Sequence, residues 1–483
     1  MLRKSAILLA ASLMIAGCTT LHPYRTNPVS RDIECDPDED GRVSSICAEL
    51  ITERAKSYQL HFVEFDDQGR PYADIPAFGA ANTQVETFLA AVRRQTIDSL
   101  EANGASVVVF IHGWKHSSHT QDSNLRTFRR VLSQLAAVEN AAFCKRKVVG
   151  LYVGWRGAGS KLGEPLENAT FWSRKLAAEQ VATGSLQRVF AGLKAIQRDT
   201  PDRRIAPRGA GDPDCSSRLK TTYVGHSFGG LIAMSALSQD TLELISLDQH
   251  VLLGKASARA ATQTPDEMLI AINPAMEGAR FDALYRAAQS FRYPIYRSPR
   301  FLAITSKNDR ATGFFFPLGR KLNTITKRYP SGDGMGKRAA RLAVGHDQQY
   351  LTHSLLTASQ YRAAGGTIEA GVCNSWVTGS FEERAKNDVK RAKEFYRVHG
   401  SDYDANAPGL GPKFFCVKSP GKNLAEDNTL VLDIFRNKDI DRNTPILNIS
   451  TRLPILNHHS DIENPRLIEF LRQVYVDSMF YRR

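Results

Sequence analysis

Two continuous apolar runs, at 107–111 and 148–153, constrain the fold of this chain more than any other feature. Both runs are rich in β-branched residues, as strands buried on both faces require. Between them, Leu125, Phe128 and Leu132 recur at helical spacing. A strand, helix, strand unit of this kind predicts parallel strands joined by a right-handed crossover. The expected fold class is therefore α/β, with a mostly parallel, doubly wound sheet.

The alternation of predicted strands and helices continues along most of the chain. An alternating segment near 60–65 predicts an edge strand, and apolar residues at helical spacing predict a helix over 85–100. Further strands are predicted at 221–224, 268–272, 301–305 and 446–449. The interval 314–440 breaks this rhythm with Gly/Lys-rich turns and a charged, helix-like stretch, so we expect it to be a large insertion or lid beside the functional site.

The length of 483 residues allows one large core with insertions. We expect a signal peptide, a tether, a core in two parts and the insertion. The predicted bounds are 1–17 for the signal peptide, 18–58 for the tether, 59–313 and 441–483 for the core, and 314–440 for the insertion.

The N-terminus predicts export. Arg3 and Lys4 precede an apolar run at 6–16, which ends on small residues before Cys18. This arrangement is typical of a signal peptide, and the run is shorter than the roughly 20 residues of a membrane-spanning helix. The residues around Cys18 resemble a bacterial lipobox, which implies that the thiol is diacylated and tethers the protein to a membrane. Thr19, in the Gram-negative sorting pattern, implies the outer membrane, with the protein facing the periplasm.

The remaining six cysteines allow up to three disulfides in an oxidising compartment. They are Cys35, Cys47, Cys144, Cys215, Cys373 and Cys416. Proximity in the sequence favours Cys35 with Cys47 and Cys373 with Cys416, although fifteen pairings are formally possible. No CxxC or mixed Cys/His pattern indicates zinc.

The net charge of +13 falls to +11 if cleavage before Cys18 removes Arg3 and Lys4. This charge favours contact with anionic lipid or an acidic polymer. The basic residues are spread along the sequence and accompany no nucleic-acid motif, so a solvated basic surface is the plainer interpretation and no nucleic-acid partner is expected.

One short motif carries the chemistry. Gly225, Ser227 and Gly229 form the pattern G-x-S-x-G, which alone is short enough to occur by chance. Its context is more specific, because a predicted strand at 221–224 precedes it and a helix-like segment with small residues follows. Glycines at these positions permit the strained strand-to-helix turn that exposes a nucleophilic serine. Ser227 is therefore the expected nucleophile; the alternative is a serine in an ordinary Gly-rich turn.

A serine nucleophile needs a histidine to take its proton and a carboxylate to orient that histidine. After a turn of this kind the partners follow in the order Ser, acid, His. Asp309 directly follows the predicted strand at 301–305 and is the expected acid, with Asp433 as the reserve. His458 and His459 precede the last predicted helix, so one of the pair is the expected base. His346 and His353, in the insertion, are expected to be structural or to face the substrate.

An oxyanion hole requires two N–H donors, each worth about 3 kcal/mol of barrier. Phe228, immediately after the serine, is expected to supply one. The other is expected from Trp114, since Gly113 lets the loop after 107–111 approach the substrate closely. His112, His116 and His119 of this loop could instead bind a metal, but no carboxylate cluster accompanies them, so no metal or cofactor is expected.

These features together resemble the α/β-hydrolase superfamily, especially its lipase/esterase-like bacterial members. The resemblance is carried by the sequence from Phe110 to Trp114, by Gly154 and Trp155, by the Ser227 turn, and by Asp309 and His459, and it covers roughly 60–313 and 441–483. It implies hydrolysis of esters through an acyl-enzyme.

The resemblance also favours His459 over His458, since many members carry a His-x-Asp-Ile-like sequence before the last helix and Ser460, Asp461 and Ile462 follow His459.

The expected function is therefore a membrane-tethered serine hydrolase acting on lipid or small acyl esters. The Phe314 to Phe316 run after the acid suggests an apolar wall for an acyl chain, or else plain core packing. Two alternatives remain: a non-catalytic interaction module on the same fold, and an amidase or thioesterase, which uses the same triad. The ester and the oligomeric state are not specified by the sequence.

Overall fold

A computed structural model describes most of the chain beyond the N-terminal segment. The described residues are 23–24, 58–75, 84–99, 101–119, 121–157, 171–201, 213, 215–255, 265–293, 298–368, 372–399, 413–418, 428–453 and 455–480. The predicted signal peptide and Cys18 lie outside them, as do Cys35 and Cys47. Within these ranges, no helix combines the length and the apolar composition needed to cross a bilayer.

Within the described residues, ten strands form one sheet. They are β1 Tyr58–Phe65, β2 Ala105–Ile111, β3 Lys147–Trp155, β4 Leu219–His226, β5 Asp266–Ile272, β6 Phe301–Ser306, β7 His353–Thr357, β8 Lys413–Cys416, β9 Thr429–Ile434 and β10 Ile446–Thr451. Their order is β1-β3-β2-β4-β5-β6-β10-β7-β9-β8. The first eight in this order are parallel, and β9 and β8 continue the edge in antiparallel pairing.

Helices cover both faces of this sheet. They are α1 Gln84–Thr96, α2 Ser123–Ala141, α3 Phe171–Thr183, α4 Leu186–Asp199, α5 Phe228–Leu252, α6 Asp282–Gln289, α7 Phe316–Asn323, α8 Gly334–Ala339, α9 Ala358–Ala363, α10 Phe381–His399 and α11 Pro465–Asp477.

Alternate side chains of β2 enter two separate cores, as the two-residue period of a strand dictates. Val108 and Phe110 pack with α2, α10 and α11. Val107 and Val109 pack with α1, α3, α4, α5 and α6. The α/β class and the mostly parallel sheet expected from the sequence are therefore confirmed.

The interval 314–440 differs in part from the expected insertion or lid. It contributes β7, β8 and β9 to the sheet. Helix α10 places Ala385, Val389 and Ala392 in the same core as α2 and α11. This part of the interval therefore extends the sheet and its core instead of standing apart as a lid. These strands have four to six residues and lack apolar runs as long as those that mark β2 and β3 in the sequence.

Two disulfides stabilise the described chain. Cys373–Cys416 is the pairing that sequence proximity favours, and Cys144–Cys215 is the other. Cys144–Cys215 joins residues that are 71 positions apart, and Cys373–Cys416 joins residues that are 43 positions apart. Loops of this length correspond to about 4 kcal/mol of stabilisation each in the chain-entropy treatment.

Candidate active site

Ser227 lies in a sharp turn between β4, which ends at His226, and α5, which begins at Phe228. Its backbone has φ 56° and ψ −117°, a conformation that side-chain-bearing residues rarely adopt. The surrounding chain holds the turn, because Ser227 N–H donates to Ile272 O at 3.0 Å. The hydroxyl is thereby presented at the carboxyl edge of the parallel strands, where sites of open α/β sheets form.

The two motif glycines are required by close backbone approaches at this turn. A Cβ on Gly225 would lie 2.3 Å from Gly229 O, and one on Gly229 would lie 1.9 Å from Ile111 O. Both distances are far below van der Waals contact. The glycines therefore let α5 begin directly against β4 and β2.

The structure brings Ser227, His459 and Asp309 together in one hydrogen-bonded chain. His459 Nε2 lies 2.7 Å from Ser227 Oγ, and His459 Nδ1 lies 2.8 Å from Asp309 Oδ2. With the ring proton on Nδ1, His459 donates to Asp309 and accepts from Ser227. Asp309 is 1% exposed and Ser227 3% exposed. His458 is exposed to solvent, so of the two adjacent histidines it is His459 whose ring faces the serine.

The carboxylate of Asp309 is anchored by the turn that follows β6. The Ala311 and Thr312 amides donate to Oδ1 at 2.8 and 3.2 Å, and the Thr312 hydroxyl donates to Oδ2. Since that hydroxyl donates to Asp309, it accepts from His346 Nε2, which lies 3.0 Å away. Burial raises the pKa of Asp309, but the hydrogen bonds from His459 and Thr312 outweigh it and lower the pKa below its usual value. Asp309 is therefore ionised at neutral pH.

The reserve acid lies elsewhere. Asp433 is on β9, opposite Ser354 of β7, and its carboxylate pairs with Arg442 at 2.8 Å. The structure thus places Asp309, and not Asp433, against His459.

Two residues that the sequence did not single out hold the backbone of His459. His226 Nε2 donates to His459 O at 2.8 Å, and Asn273 Nδ2 donates to the same oxygen at 3.0 Å. The Asn273 side chain also accepts from Ser306 N at 3.0 Å, which ties β5 to β6 at the site. Burial lowers the pKa of His226 well below its usual value, so its ring is neutral. The sequence offered one signal for Asn273: it directly follows β5, at the same carboxyl edge of the sheet as Ser227.

The expected oxyanion donors flank the serine. Phe228 is the first residue of α5, where backbone N–H groups have no intrahelical acceptor. The loop after β2 lies against Ser227, because a Cβ on Gly113 would be 2.8 Å from Ser227 Cβ. The Trp114 ring packs edge-on against Phe171, which in turn contacts Phe228. Phe228 and the loop that carries Trp114 therefore both lie next to Ser227, and the role of their N–H groups as oxyanion donors stays a prediction.

His112 shapes the Trp114 loop. Its Nε2 accepts from Trp155 N at 3.1 Å, and its carbonyl accepts from the Trp155 indole at 2.8 Å. Burial lowers the pKa of His112 to about 4, so it remains neutral. The nearby His116 lies 3.1 Å from Asp122, the N-cap residue of α2.

A metal ion was the alternative considered for the histidines of the loop after β2. Among the residues that the structure describes, no three His, Cys, Asp or Glu side chains are grouped so that they could hold a metal ion. Of the two histidines that the sequence singled out in the interval 314–440, His353 is buried on β7 and His346 contacts Thr312 as above.

In comparisons with known proteins, no protein family, no curated protein and no solved structure matched this chain.

Proposed function

We propose that the chain is a serine hydrolase of the α/β-hydrolase fold that cleaves carboxylic esters. The observation that carries the proposal is the chain of hydrogen bonds from Asp309 through His459 to Ser227, at 2.8 and 2.7 Å. The order Ser, acid, His along the sequence and the position of Ser227 between β4 and α5 support it further.

The proposed reaction has two steps. Ser227 Oγ attacks the ester carbonyl while His459 Nε2 takes the hydroxyl proton, and Asp309 stabilises the resulting imidazolium. The Phe228 and Trp114 N–H groups stabilise the negative charge on the carbonyl oxygen. His459 then gives its proton to the departing alcohol, which leaves an acyl-enzyme. A water molecule, deprotonated by His459, attacks this intermediate and releases the carboxylic acid and the Ser227 hydroxyl.

A non-catalytic module is the weaker interpretation. A serine held at positive φ costs of order 1–3 kcal/mol, and such strain concentrates at functional sites. A module that only binds a partner has no need of a strained serine within 2.7 Å of a histidine.

A fluorophosphonate probe tests the proposal. We expect the probe to label the wild-type chain covalently and to leave Ser227→Ala unlabelled, because the probe reacts only with an activated serine hydroxyl. Labelled protein would be detected after denaturing electrophoresis. Ser235→Ala is the matched control, since Ser235 lies two turns along α5 and should leave labelling unchanged. Equal labelling of Ser227→Ala and wild type would overturn the proposal.

We also propose that the enzyme is anchored by lipid at Cys18 in the outer membrane, facing the periplasm. The support is the charged start, the apolar run and the small residues before Cys18. We expect Cys18→Ala to remain in the cell envelope fraction of an expressing bacterium but to lose incorporation of radiolabelled palmitate, because the thiol carries the acyl chains. Incorporation equal to that of the wild type would contradict the anchor.

An apolar-basic segment, residues 311–341, supports action at a membrane surface. Its large exposed side chains are Phe314, Phe315, Leu318, Ile325 and Met335, of which Phe314 and Phe315 are 61% and 58% exposed. Phe316 is buried, so the Phe run divides between core packing and surface. The segment contains seven Lys and Arg and one Asp. Apolar side chains among cations are the composition that inserts into an anionic lipid interface.

Hydrogen exchange of the full-length chain tests this contact. With phosphatidylglycerol vesicles we expect amides of 311–325 to exchange several-fold more slowly than with phosphatidylcholine vesicles, because the segment is both apolar and basic. Phe314→Ser with Phe315→Ser should remove the difference. Leu253→Ser, at an exposed apolar position after α5, is the control and should preserve it. Equal exchange with the two lipids in the wild type would contradict a lipid-facing segment.

A further inference from the structure

A second concave site lies near the carboxyl ends of β6, β7 and β10. It is a cavity of about 290 Å³, and its polar lining is Lys307, Ser354, Gln360, Arg436, Ser450 and Arg452. Lys307 directly follows β6 and Arg452 directly follows β10. None of these residues has a role in the ester hydrolysis proposed above.

The charge of this cavity is one-sided. Of the residues that the structure describes, three cations line it and no carboxylate does. Burial lowers the pKa of Lys307, and repulsion by Arg452 and Arg436 lowers it further, so the three charges are near enough to interact. The carboxylate of Asp433, on the strand next to Ser354, is already paired with Arg442 at 2.8 Å. Like charges gathered in one place repel one another, and an anion bound between them would relieve the repulsion.

Two of the cations make cation–π contacts with one aromatic ring. Lys307 Nζ lies 5.5 Å and the Arg436 guanidinium 5.2 Å from the centroid of the buried Phe435 ring. Arg436 also donates to Gln348 Oε1 at 3.0 Å. These contacts restrict both long side chains, so less conformational entropy is lost when they bind a ligand.

A buried hydroxyl in the same cavity has no hydrogen-bond partner among the described residues. Ser450 is 3% exposed, and within the described part of the chain its Oγ makes no hydrogen bond. It lies on β10 directly beside Ser354 of β7, on the same face of the sheet. A buried hydroxyl without a partner is energetically unfavourable, and a hydrogen bond to a ligand oxygen would remove this cost.

We propose that this cavity binds a phosphate group, with Lys307, Arg436 and Arg452 neutralising its charge and Ser450 donating a hydrogen bond to one of its oxygens. A phosphate monoester carries a charge of about −1.5 to −2 at pH 7, and guanidinium groups match its oxygens in pairs. A single carboxylate carries one negative charge and would leave most of the three positive charges uncompensated. The phosphate could belong to a soluble phosphate ester or to a lipid headgroup, which have the same chemistry at this site.

Calorimetric titration of the full-length chain distinguishes these sources. One arm uses inorganic phosphate and glycerol 3-phosphate, and the other uses dihexyl phosphatidic acid, a soluble lipid whose ether links cannot be hydrolysed. We expect saturable binding in at least one arm, weakened at least about tenfold in Lys307→Gln with Arg452→Gln, since each removes a charge-assisted hydrogen bond. Binding in the first arm assigns a soluble ester, and binding in the second arm alone assigns a headgroup.

Two further variants make the test specific. Lys327→Gln, which removes an exposed lysine outside the cavity, should bind like the wild type. Ser450→Ala should weaken binding several-fold while keeping every charge, which separates a built site from general attraction to a basic protein. The proposal is overturned if neither arm shows saturable binding, or if Lys327→Gln weakens binding as much as the Lys307 and Arg452 changes. Because no turnover is measured, the result is independent of the proposed hydrolase activity.

Discussion

Replacing His459 with alanine is expected to lower kcat/KM for a short p-nitrophenyl ester by about 10⁴- to 10⁶-fold. The ring is the group within 2.7 Å of Ser227 Oγ that can take its proton. Without it, the hydroxyl remains protonated at neutral pH, and mainly the oxyanion donors and substrate binding contribute to the rate. Ser227→Ala should show a loss of similar size, because residues of a triad act as one unit and their effects do not add. Initial rates at substrate concentrations well below KM, plotted against enzyme concentration, give kcat/KM for both variants.

The matched control for this change is the neighbouring residue. His458→Ala removes an imidazole of the same size from the same loop, but that side chain is exposed to solvent. Its backbone oxygen, which accepts from Asn273 at 3.2 Å, is unchanged by the substitution. We therefore expect near-normal rates. If His458→Ala abolishes turnover and His459→Ala does not, the base is the other histidine; if neither has an effect, the proposed mechanism fails.

The strands that carry the site could be predicted from the sequence because their signals are local. The β-branched runs of β2 and β3 are buried on both faces, and the burial is visible as unbroken apolar sequence. The turn at Ser227 is also local, since Gly225 and Gly229 record the close approach of β4 and α5. Local patterns of this kind place a serine at a strand end without any knowledge of distant contacts.

The remaining parts of the site depend on contacts between distant residues. Asn273 acts on His459, 186 positions away, and no periodicity indicates such a pair. The contact of His346 with Thr312 likewise joins segments that the sequence assigns to separate features. The strands β7 to β9 were not predicted because they lack apolar runs as long as those of β2 and β3. Strand β7 joins the sheet by pairing with β10, β9 by pairing with β7, and β8 by pairing with β9. The three-dimensional structure was therefore needed to identify these side-chain contacts and the strands added at this end of the sheet.

Asp309→Asn is expected to lower kcat for the same ester by about 10⁴-fold while leaving the fold intact. Backbone N–H groups of Ala311 and Thr312 donate to Oδ1, so an asparagine would keep its carbonyl oxygen there. Its NH₂ group would then take the place of Oδ2 and donate to His459 Nδ1. That hydrogen bond places the ring proton on Nε2, where His459 cannot accept the Ser227 proton.

The control for this change is Asp433→Asn, the same substitution at the other aspartate that the sequence allowed. Asp433 pairs with Arg442 on the far side of β10, so its loss should leave kcat near the wild-type value. Thermal unfolding of both variants would verify that the protein is folded. A silent Asp309→Asn together with an inactive Asp433→Asn would move the acid to β9. Because the hydrogen bonds at Asp309 lower its pKa, the wild-type carboxylate stays ionised at pH values where an ordinary aspartate becomes protonated.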